Sequence, residues 1–188
     1  MQGLVVSLDR GYPLVRTENG EERAQHAIDL VKNSDVRSAV GDIVDLNKEP
    51  GQDMLSIVAL HKRDNILSRR ELVESVHEGV GKIKEQILAA NFDFVVVMQS
   101  LGKRALDVDY LERQLVMAND SSVETMVLLT KTDLLPYVNF DMEMFRRDVR
   151  SLNPKSPIVE LNLMSGTGID EWLSFISTKL QEKRHHAG

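Results

Sequence analysis

The sequence contains no cysteine, and this absence removes several classes of site at once. Disulfide bridges, thiolate-bound zinc and cysteine nucleophiles are all excluded, and the lack of cysteine fits a reducing compartment. No apolar run reaches the length of about 18 residues that spans a bilayer, and the N-terminal segment has neither a basic stretch nor a small-residue cleavage site. We therefore expect a cytoplasmic protein that is neither exported nor embedded in a membrane.

What the chain does contain is the composition of a folded protein. Its 188 residues are 42% hydrophobic and 28% charged, which suits one ordinary domain or two small ones. The formal net charge of -6 disfavours indiscriminate binding of nucleic-acid phosphates by the whole surface. Any contact with nucleic acid would need a local basic patch.

Up to Arg70 the apolar runs are short, rich in β-forming residues and separated by turn signals such as Glu49-Pro50-Gly51. Several short strands at this spacing predict a small closed antiparallel barrel of the OB type. The stretch Gln25 to Lys32 fits either a helix or a strand. The predicted strands cover Leu4 to Ser7, Leu14 to Thr17, Val40 to Leu46 and Ser56 to His61.

Beyond Arg70 the pattern changes to alternating strands and helices. Ile83, Ile87 and Leu88 fall on one helical face, so their segment is predicted to be a helix. The strands that follow are continuously apolar, which is typical of a parallel, doubly wound sheet covered on both faces. The predicted strands are Phe92 to Gln99, Val123 to Leu129 and Pro157 to Leu163, and the predicted helices are Val108 to Asn119, Asp141 to Leu152 and Ile169 to Leu180.

These patterns predict an α/β plus all-β fold, in which an OB-type barrel precedes a partial Rossmann-like parallel sheet. We place the OB domain at residues 1–70, the partial Rossmann-like domain at 71–182 and a disordered tail at 183–188.

The second strand of the predicted sheet runs directly into Thr130-Lys131-Thr132-Asp133. Ligands of α/β sheets bind at the carboxyl ends of strands, so this tetrad lies where a nucleobase can bind. Guanine presents its N1–H and N2–H donors side by side, and the carboxylate of Asp133 can accept both. Lys131 can lay its alkyl stem along the base, and Thr130 can brace the loop. The tetrad therefore predicts guanine binding; the alternative is a charged surface turn after a buried strand.

A second loop strengthens the guanine hypothesis. Asn162-Leu163-Met164 begins a segment that ends in Gly166-Thr167-Gly168, after the third strand and before an amphipathic helix. A tight loop with glycine at this place can direct a backbone N–H at the O6 atom of guanine. Two base loops on successive strands are much more specific than one, although two ordinary loops remain the alternative.

The sequence has no phosphate loop of the form G-x-x-x-x-G-K-[ST], whose amides and lysine hold the phosphates and whose hydroxyl holds magnesium. The candidate Gly79-Val80-Gly81-Lys82 has Val76 where the first glycine would stand and Ile83 where the hydroxyl would stand. We therefore assign no catalytic residue and no metal site. GTP or GDP is expected to bind weakly, and Mg²⁺ only if a phosphate loop is supplied elsewhere.

Five motif segments resemble the ribosome small-subunit-dependent GTPases of the RsgA (YjeQ) family, in order, over about residues 1–135. The resemblance implies a circularly permuted GTPase domain, in which the base loops precede the phosphate loop, and an OB domain that contacts the 30S subunit and its 16S rRNA. Arg63, Arg69 and Arg70, with Lys62, form the basic cluster that would face rRNA on this resemblance, and a solvated connector is the alternative. The motif segments are Val40 to Val44, Arg63 to Arg69, Glu85 to Asp93, Leu111 to Leu115 and Leu129 to Leu134.

Residues from about 134 to 180 are instead similar to the C-terminal part of HypB, the nickel-insertion GTPase of hydrogenase maturation. The similarity rests on Leu134 to Asp141, Leu152 to Pro154 and Gly166 to Trp172, while Asn162-Leu163-Met164 replaces the usual Ser-Ala-Lys base loop. Truncation, natural fusion or deliberate construction would each give such a mosaic. A parallel sheet of only three strands leaves an open edge, so we expect either self-association or cover by the segment Glu71 to Ala90.

The sequence thus predicts a guanine-nucleotide-binding protein related to small-subunit biogenesis that does not hydrolyse GTP as this chain alone. A non-enzymatic ribosome-binding or rRNA-binding OB module is the first alternative. A nickel-insertion GTPase is the second, although the chain lacks cysteine and clustered histidine.

Overall fold

The computed structural model describes residues 1–9, 12–33, 37–48, 51–73, 82–102 and 107–186. The chain divides into two compact units, Met1–Phe92 and Asp93–Gly188. The predicted domain limits at residues 70 and 182 stay a prediction. Within the described residues, no helix combines the length and the apolar composition that crossing a membrane requires.

Five strands of the first unit form a closed barrel in the order β1-β2-β3-β5-β4. Alternate residues of these strands point inward, and Val5, Val15, Val44, Leu55 and Ile57 form the centre of the barrel core. A short helix, α1, follows β3, so the ambiguous stretch from Gln25 contains the end of a strand and most of a helix. The strands are β1 (Gln2–Asp9), β2 (Tyr12–Thr17), β3 (Gly20–His26), β4 (Ile43–Asn47) and β5 (Leu55–Leu60), and α1 is Ile28–Asn33.

A two-stranded antiparallel hairpin, β6 (Ile66–Val73) with β7 (Lys82–Ala90), completes the first unit. The helix predicted around Ile83 and Ile87 is therefore wrong. Cross-strand hydrogen bonds explain the difference: the hydroxyl of Ser68 donates to Glu85 over 2.6 Å, and Nε of Arg69 donates to the side-chain oxygen of Gln86 over 2.9 Å.

The second unit is a three-stranded parallel sheet in the order β10-β9-β8, with helices on both faces. One face packs against α2 and α3 through residues such as Val127, Leu115 and Phe145, and the other packs against α4 through Val159 and Trp172. The predicted parallel sheet is thus confirmed. The elements are β8 (Phe94–Ser100), α2 (Val108–Asp120), β9 (Glu124–Thr130), a 3₁₀ helix (Thr132–Tyr137), α3 (Met142–Leu152), β10 (Ile158–Leu161) and α4 (Ile169–His186).

One detail differs from the sequence-based expectation. Helix α4 continues to His186, so residues 183–186 extend a helix where a disordered tail was predicted. The expected cover of the sheet by the segment from Glu71 to Ala90 stays a prediction; within this segment, Lys82–Ala90 forms β7, which pairs with β6. Among the described residues, β8 therefore has a partner strand on one side only, and Met98 on this strand is 62% exposed.

Candidate nucleotide-binding edge

The carboxyl ends of the three parallel strands lie at one level. Ser100 at the end of β8 and Leu161 at the end of β10 both pair in register with Thr130, the last residue of the central strand β9. The loops that follow these strands therefore leave the sheet side by side. This is the edge at which α/β proteins bind their ligands.

The tetrad predicted to bind guanine forms a braced turn at the centre of this edge. The hydroxyl of Thr130 donates to the carbonyl oxygen of Gln99 over 3.2 Å, which ties β9 to the end of β8. Lys131 has a φ of 59° and a ψ of 40°, a left-handed conformation that is uncommon for a residue other than glycine. Its carbonyl oxygen accepts the N–H of Leu134 and so begins the 3₁₀ helix. Residues in such sparsely populated conformations cluster at ligand sites.

Asp133 and Lys131 are both free to contact a ligand. Asp133 is half-buried in the first turn of the 3₁₀ helix, and no hydrogen bond or ion pair engages its carboxylate within the described residues. Lys131 is exposed and likewise has no acidic partner there. A fixed backbone with an unused carboxylate is the arrangement that a pair of N–H donors requires.

The loop after β10 is held in shape by its own polar groups. The side-chain oxygen of Asn162 accepts the N–H groups of Met164 and Ser165 over 2.9 and 3.1 Å. Gly168 has a φ of +80°, and a Cβ atom there would collide with the carbonyl oxygen of Glu160. The sequence alone did not indicate this role of Asn162, although asparagine commonly closes such turns.

The hydrogen bonds within this loop leave one backbone N–H group available to a ligand. The N–H groups of Met164 and Ser165 are already bonded to Asn162, whereas no acceptor among the described residues takes the N–H of Leu163. Leu163 and Met164 are 73% and 86% exposed. Leu163 therefore offers the free N–H that recognition of a base carbonyl needs.

The three arginines predicted to contact RNA have different surroundings. Arg63 forms a bidentate ion pair with Asp42, with Nε and Nη2 lying 2.7 and 2.6 Å from the two carboxylate oxygens. The side chain of Asp42 is fully buried, and the hydrogen bond with it raises the pKa of Arg63 while burial opposes that change. Arg69 and Arg70 are exposed on the hairpin strand β6. The partner of Arg63 could not be found from the sequence because it lies 21 residues away.

Histidines of the barrel form local pairs. His26 contacts the hydroxyl of Ser38 at 3.0 Å, and burial, with the nearby Arg37, lowers the pKa of His26. His61 lies 3.0 Å from Asp45. In the part of the chain that the structure describes, no three histidine, aspartate or glutamate side chains group closely enough to hold a metal ion.

Comparison with known proteins agrees with this fold. The family described as RsgA GTPase matches residues 60–182. The small ribosomal subunit biogenesis GTPase RsgA of Streptomyces coelicolor is 32% identical over 178 residues, which cover 94% of this chain and 45% of that protein. The hydrogenase maturation factor HypB of Escherichia coli strain K12 is 42% identical over 55 residues, which cover 29% of this chain and 19% of that protein.

Two solved structures show the same fold. YjeQ from Thermotoga maritima superposes with a TM-score of 0.58 at 21% identity, covering 93% of this chain and 56% of that one. YloQ, described as a circularly permuted GTPase, superposes with a TM-score of 0.50 at 17% identity, covering 85% and 51%. The chain spans less than half the length of the curated relatives that it matches. Its match to the family profile over residues 60–182 shows that the chain belongs to the RsgA GTPase family.

Proposed function

We propose that this chain binds guanine nucleotides through Thr130, Lys131 and Asp133, with Asn162, Leu163 and Met164 forming the second base loop. The proposal rests on the carboxylate of Asp133, which follows the carboxyl end of the central strand and has no partner among the described residues. It accepts the N1–H and N2–H of guanine, and the free N–H of Leu163 donates to O6. The stem of Lys131 covers the face of the base, while its ammonium group stays in water.

The proposed contacts are confined to the base. The sequence contains no motif that would hold the β- and γ-phosphates or Mg²⁺, so we propose that this chain alone does not hydrolyse GTP. Base contacts without phosphate contacts correspond to millimolar to high micromolar affinity, or about 4–6 kcal/mol.

Calorimetric titration with guanosine, GDP and GTP tests both statements. We expect similar, weak affinities for all three ligands and none for adenosine. Nanomolar binding that depends on the γ-phosphate would contradict the proposal, because it would require a phosphate site in this chain.

The curated RsgA relatives are named for biogenesis of the small ribosomal subunit, and we propose the same cytoplasmic role here, with the 30S subunit and 16S rRNA as partners. Arg69 and Arg70 support it as exposed cations on one hairpin, while Arg63 is engaged with Asp42. In co-sedimentation with purified 30S subunits, we expect joint replacement Arg69→Gln and Arg70→Gln to weaken binding, mostly at low salt. If the first unit alone makes the contact, as expected for a non-enzymatic ribosome-binding module, Asp133→Ala should leave co-sedimentation unchanged. Unaltered binding by the double variant would exclude this surface.

The likeness to HypB does not extend to a proposal about nickel. It spans 55 residues, and the sequence has no cysteine to act as a thiolate ligand for nickel. We therefore propose no role in nickel delivery.

We also propose that the open edge of β8 mediates weak self-association. A strand without a neighbour on one side, as β8 is among the described residues, presents a row of N–H and C=O groups, and the exposed Met98 adds apolar surface beside it. Sedimentation velocity at increasing protein concentration should show dimers that Met98→Lys reduces, since a charge protects an edge strand. A monomer at every concentration would refute this proposal.

A further inference from the structure

A small cavity opens between helices α2 and α3 of the second unit, and its lining shares no residue with either base loop. Its volume of about 120 Å³ is below the roughly 300–1,000 Å³ of pockets that take a whole small molecule. It therefore suits a single side chain. Val108 and Leu111 of α2 and Met144 and Phe145 of α3 form apolar walls.

The walls include apolar surface that the fold itself does not cover. Leu111 and Phe145 of the lining are buried, whereas Val108 is 37% and Met144 is 44% exposed. The two exposed side chains belong to different helices. A flexible methylene chain lying between them would remove apolar surface from water on both sides.

The rest of the lining consists of Asn139, Phe140 and two carboxylates, Asp141 at the N-cap of α3 and Asp148 within that helix. Asp141 caps the helix by accepting the N–H of Met144 over 2.9 Å, and its second oxygen has no partner among the described residues. Asp148 lies two turns further along the same face, about 10 Å away at 1.5 Å per residue. Among the described residues its nearest cation is Nε of Arg147 at 3.9 Å, which is long for an ion pair.

We propose that this cavity binds a lysine or arginine side chain from a basic segment of a partner protein. The alkyl stem packs between Val108 and Met144, and Asp148 receives the cation. A basic rather than an acidic or neutral occupant follows from charge complementarity, because both ionisable groups of the lining are carboxylates. Asp141 provides a second acceptor for a neighbouring basic residue of the same segment.

The spacing of the carboxylates defines a probe. In a polyproline II segment, residues three positions apart point the same way and lie about 9 Å apart. A capped peptide in which two lysines flank two prolines therefore matches Asp141 and Asp148. The same peptide with both lysines acetylated keeps the methylene stems and removes the charges, so it is the matched control.

The test is a titration of the ¹⁵N-labelled full chain followed by amide chemical shifts. We expect the lysine peptide to shift the amides of Val108, Phe140 and Asp148, and the acetylated peptide to bind at least about threefold more weakly. Asp148→Asn should weaken binding about twofold to fivefold, as expected for a partly exposed ion pair. The side chain of Asp148 is 35% exposed and makes only the long contact with Arg147 among the described residues, so this variant should fold normally, which circular dichroism checks.

Glu143→Gln is the matched variant, because it removes the same charge from the same helix at a position 86% exposed and outside the cavity. It should change affinity less than Asp148→Asn does. Equal losses in the two variants, or equal binding of the acetylated peptide, would overturn the proposal in favour of unspecific surface attraction. Shifts of the same amides by a short oligouridylate would overturn it as well, since the cavity would then accept an anion.

Discussion

Replacing Asp133 by asparagine tests whether this carboxylate reads guanine. The change keeps the size of the side chain, so the 3₁₀ helix Thr132–Tyr137 should persist. It replaces one carboxylate oxygen by an N–H donor, which then faces a donor of the base. A charge-assisted hydrogen bond contributes about 1.5–3 kcal/mol, and the half-buried position of Asp133 favours the lower value. Loss of one bond should therefore weaken guanosine binding at least about tenfold.

Inosine provides the corresponding change in the ligand, because it keeps N1–H and O6 of guanosine but lacks the N2 amino group. The native chain should bind inosine about tenfold more weakly than guanosine, and Asp133→Asn should remove most of that difference, as a double-mutant cycle requires. Amide shifts of residues 131–134 and 163 measure millimolar binding directly. Asp120→Asn, at the C-terminal end of α2, is the control and should change the affinity for neither guanosine nor inosine. A guanosine preference that persists in Asp133→Asn would refute the assigned role.

Three further predictions concern stability and are measured by urea denaturation. Arg63→Gln should lower the free energy of unfolding by about 3–5 kcal/mol, because it leaves the fully buried carboxylate of Asp42 without its cation. Gly168→Ala should cost about 2 kcal/mol or more, and clearly more than Gly166→Ala, since both glycines have positive φ but only Gly168 of the two lacks space for a Cβ atom. Burial lowers the pKa of His26, so its stabilising contribution should be complete above pH 6.5 and be lost as the pH falls toward the lower folded-state pKa, whereas His26→Gln should flatten this dependence.

The parts of the fold that were predictable are those in which local pattern and burial agree. Strands of the barrel alternate, so the spacing of Val5, Val15 and Val44 within their apolar runs already indicates the inner face. The run from Phe94 to Met98 is apolar on both faces because helices cover much of both sides of the sheet. The positions of the base loops followed from these strands, since each loop begins where an apolar run ends.

The hairpin strand β7 shows where local pattern fails. Ile83 and Ile87 recur at a helical spacing, but the segment pairs with β6, whose sequence lies outside the window in which periodicity is judged. A register shift between Leu67 and Ser68 further obscures alternation across the pair. Cross-strand partners are non-local, so neither the pairing nor its register could be read from residues 82–90 alone.

The contact of Arg63 with Asp42 also joins residues that are distant in sequence, and it changes how an experiment on Arg63 must be interpreted. Composition places Arg63 in a basic cluster with Arg69 and Arg70, and on that basis all three are equivalent candidates for contact with rRNA. The structure makes them unequal, because the guanidinium of Arg63 binds a buried carboxylate and the carbonyl oxygen of Arg37. Loss of 30S binding in Arg63→Gln would accordingly report loss of the barrel fold as readily as loss of a phosphate contact. Arg69 and Arg70 are exposed on β6, so their replacement tests the proposed ribosomal contact more directly than Arg63→Gln does, although Arg69→Gln also removes the hydrogen bond to Gln86.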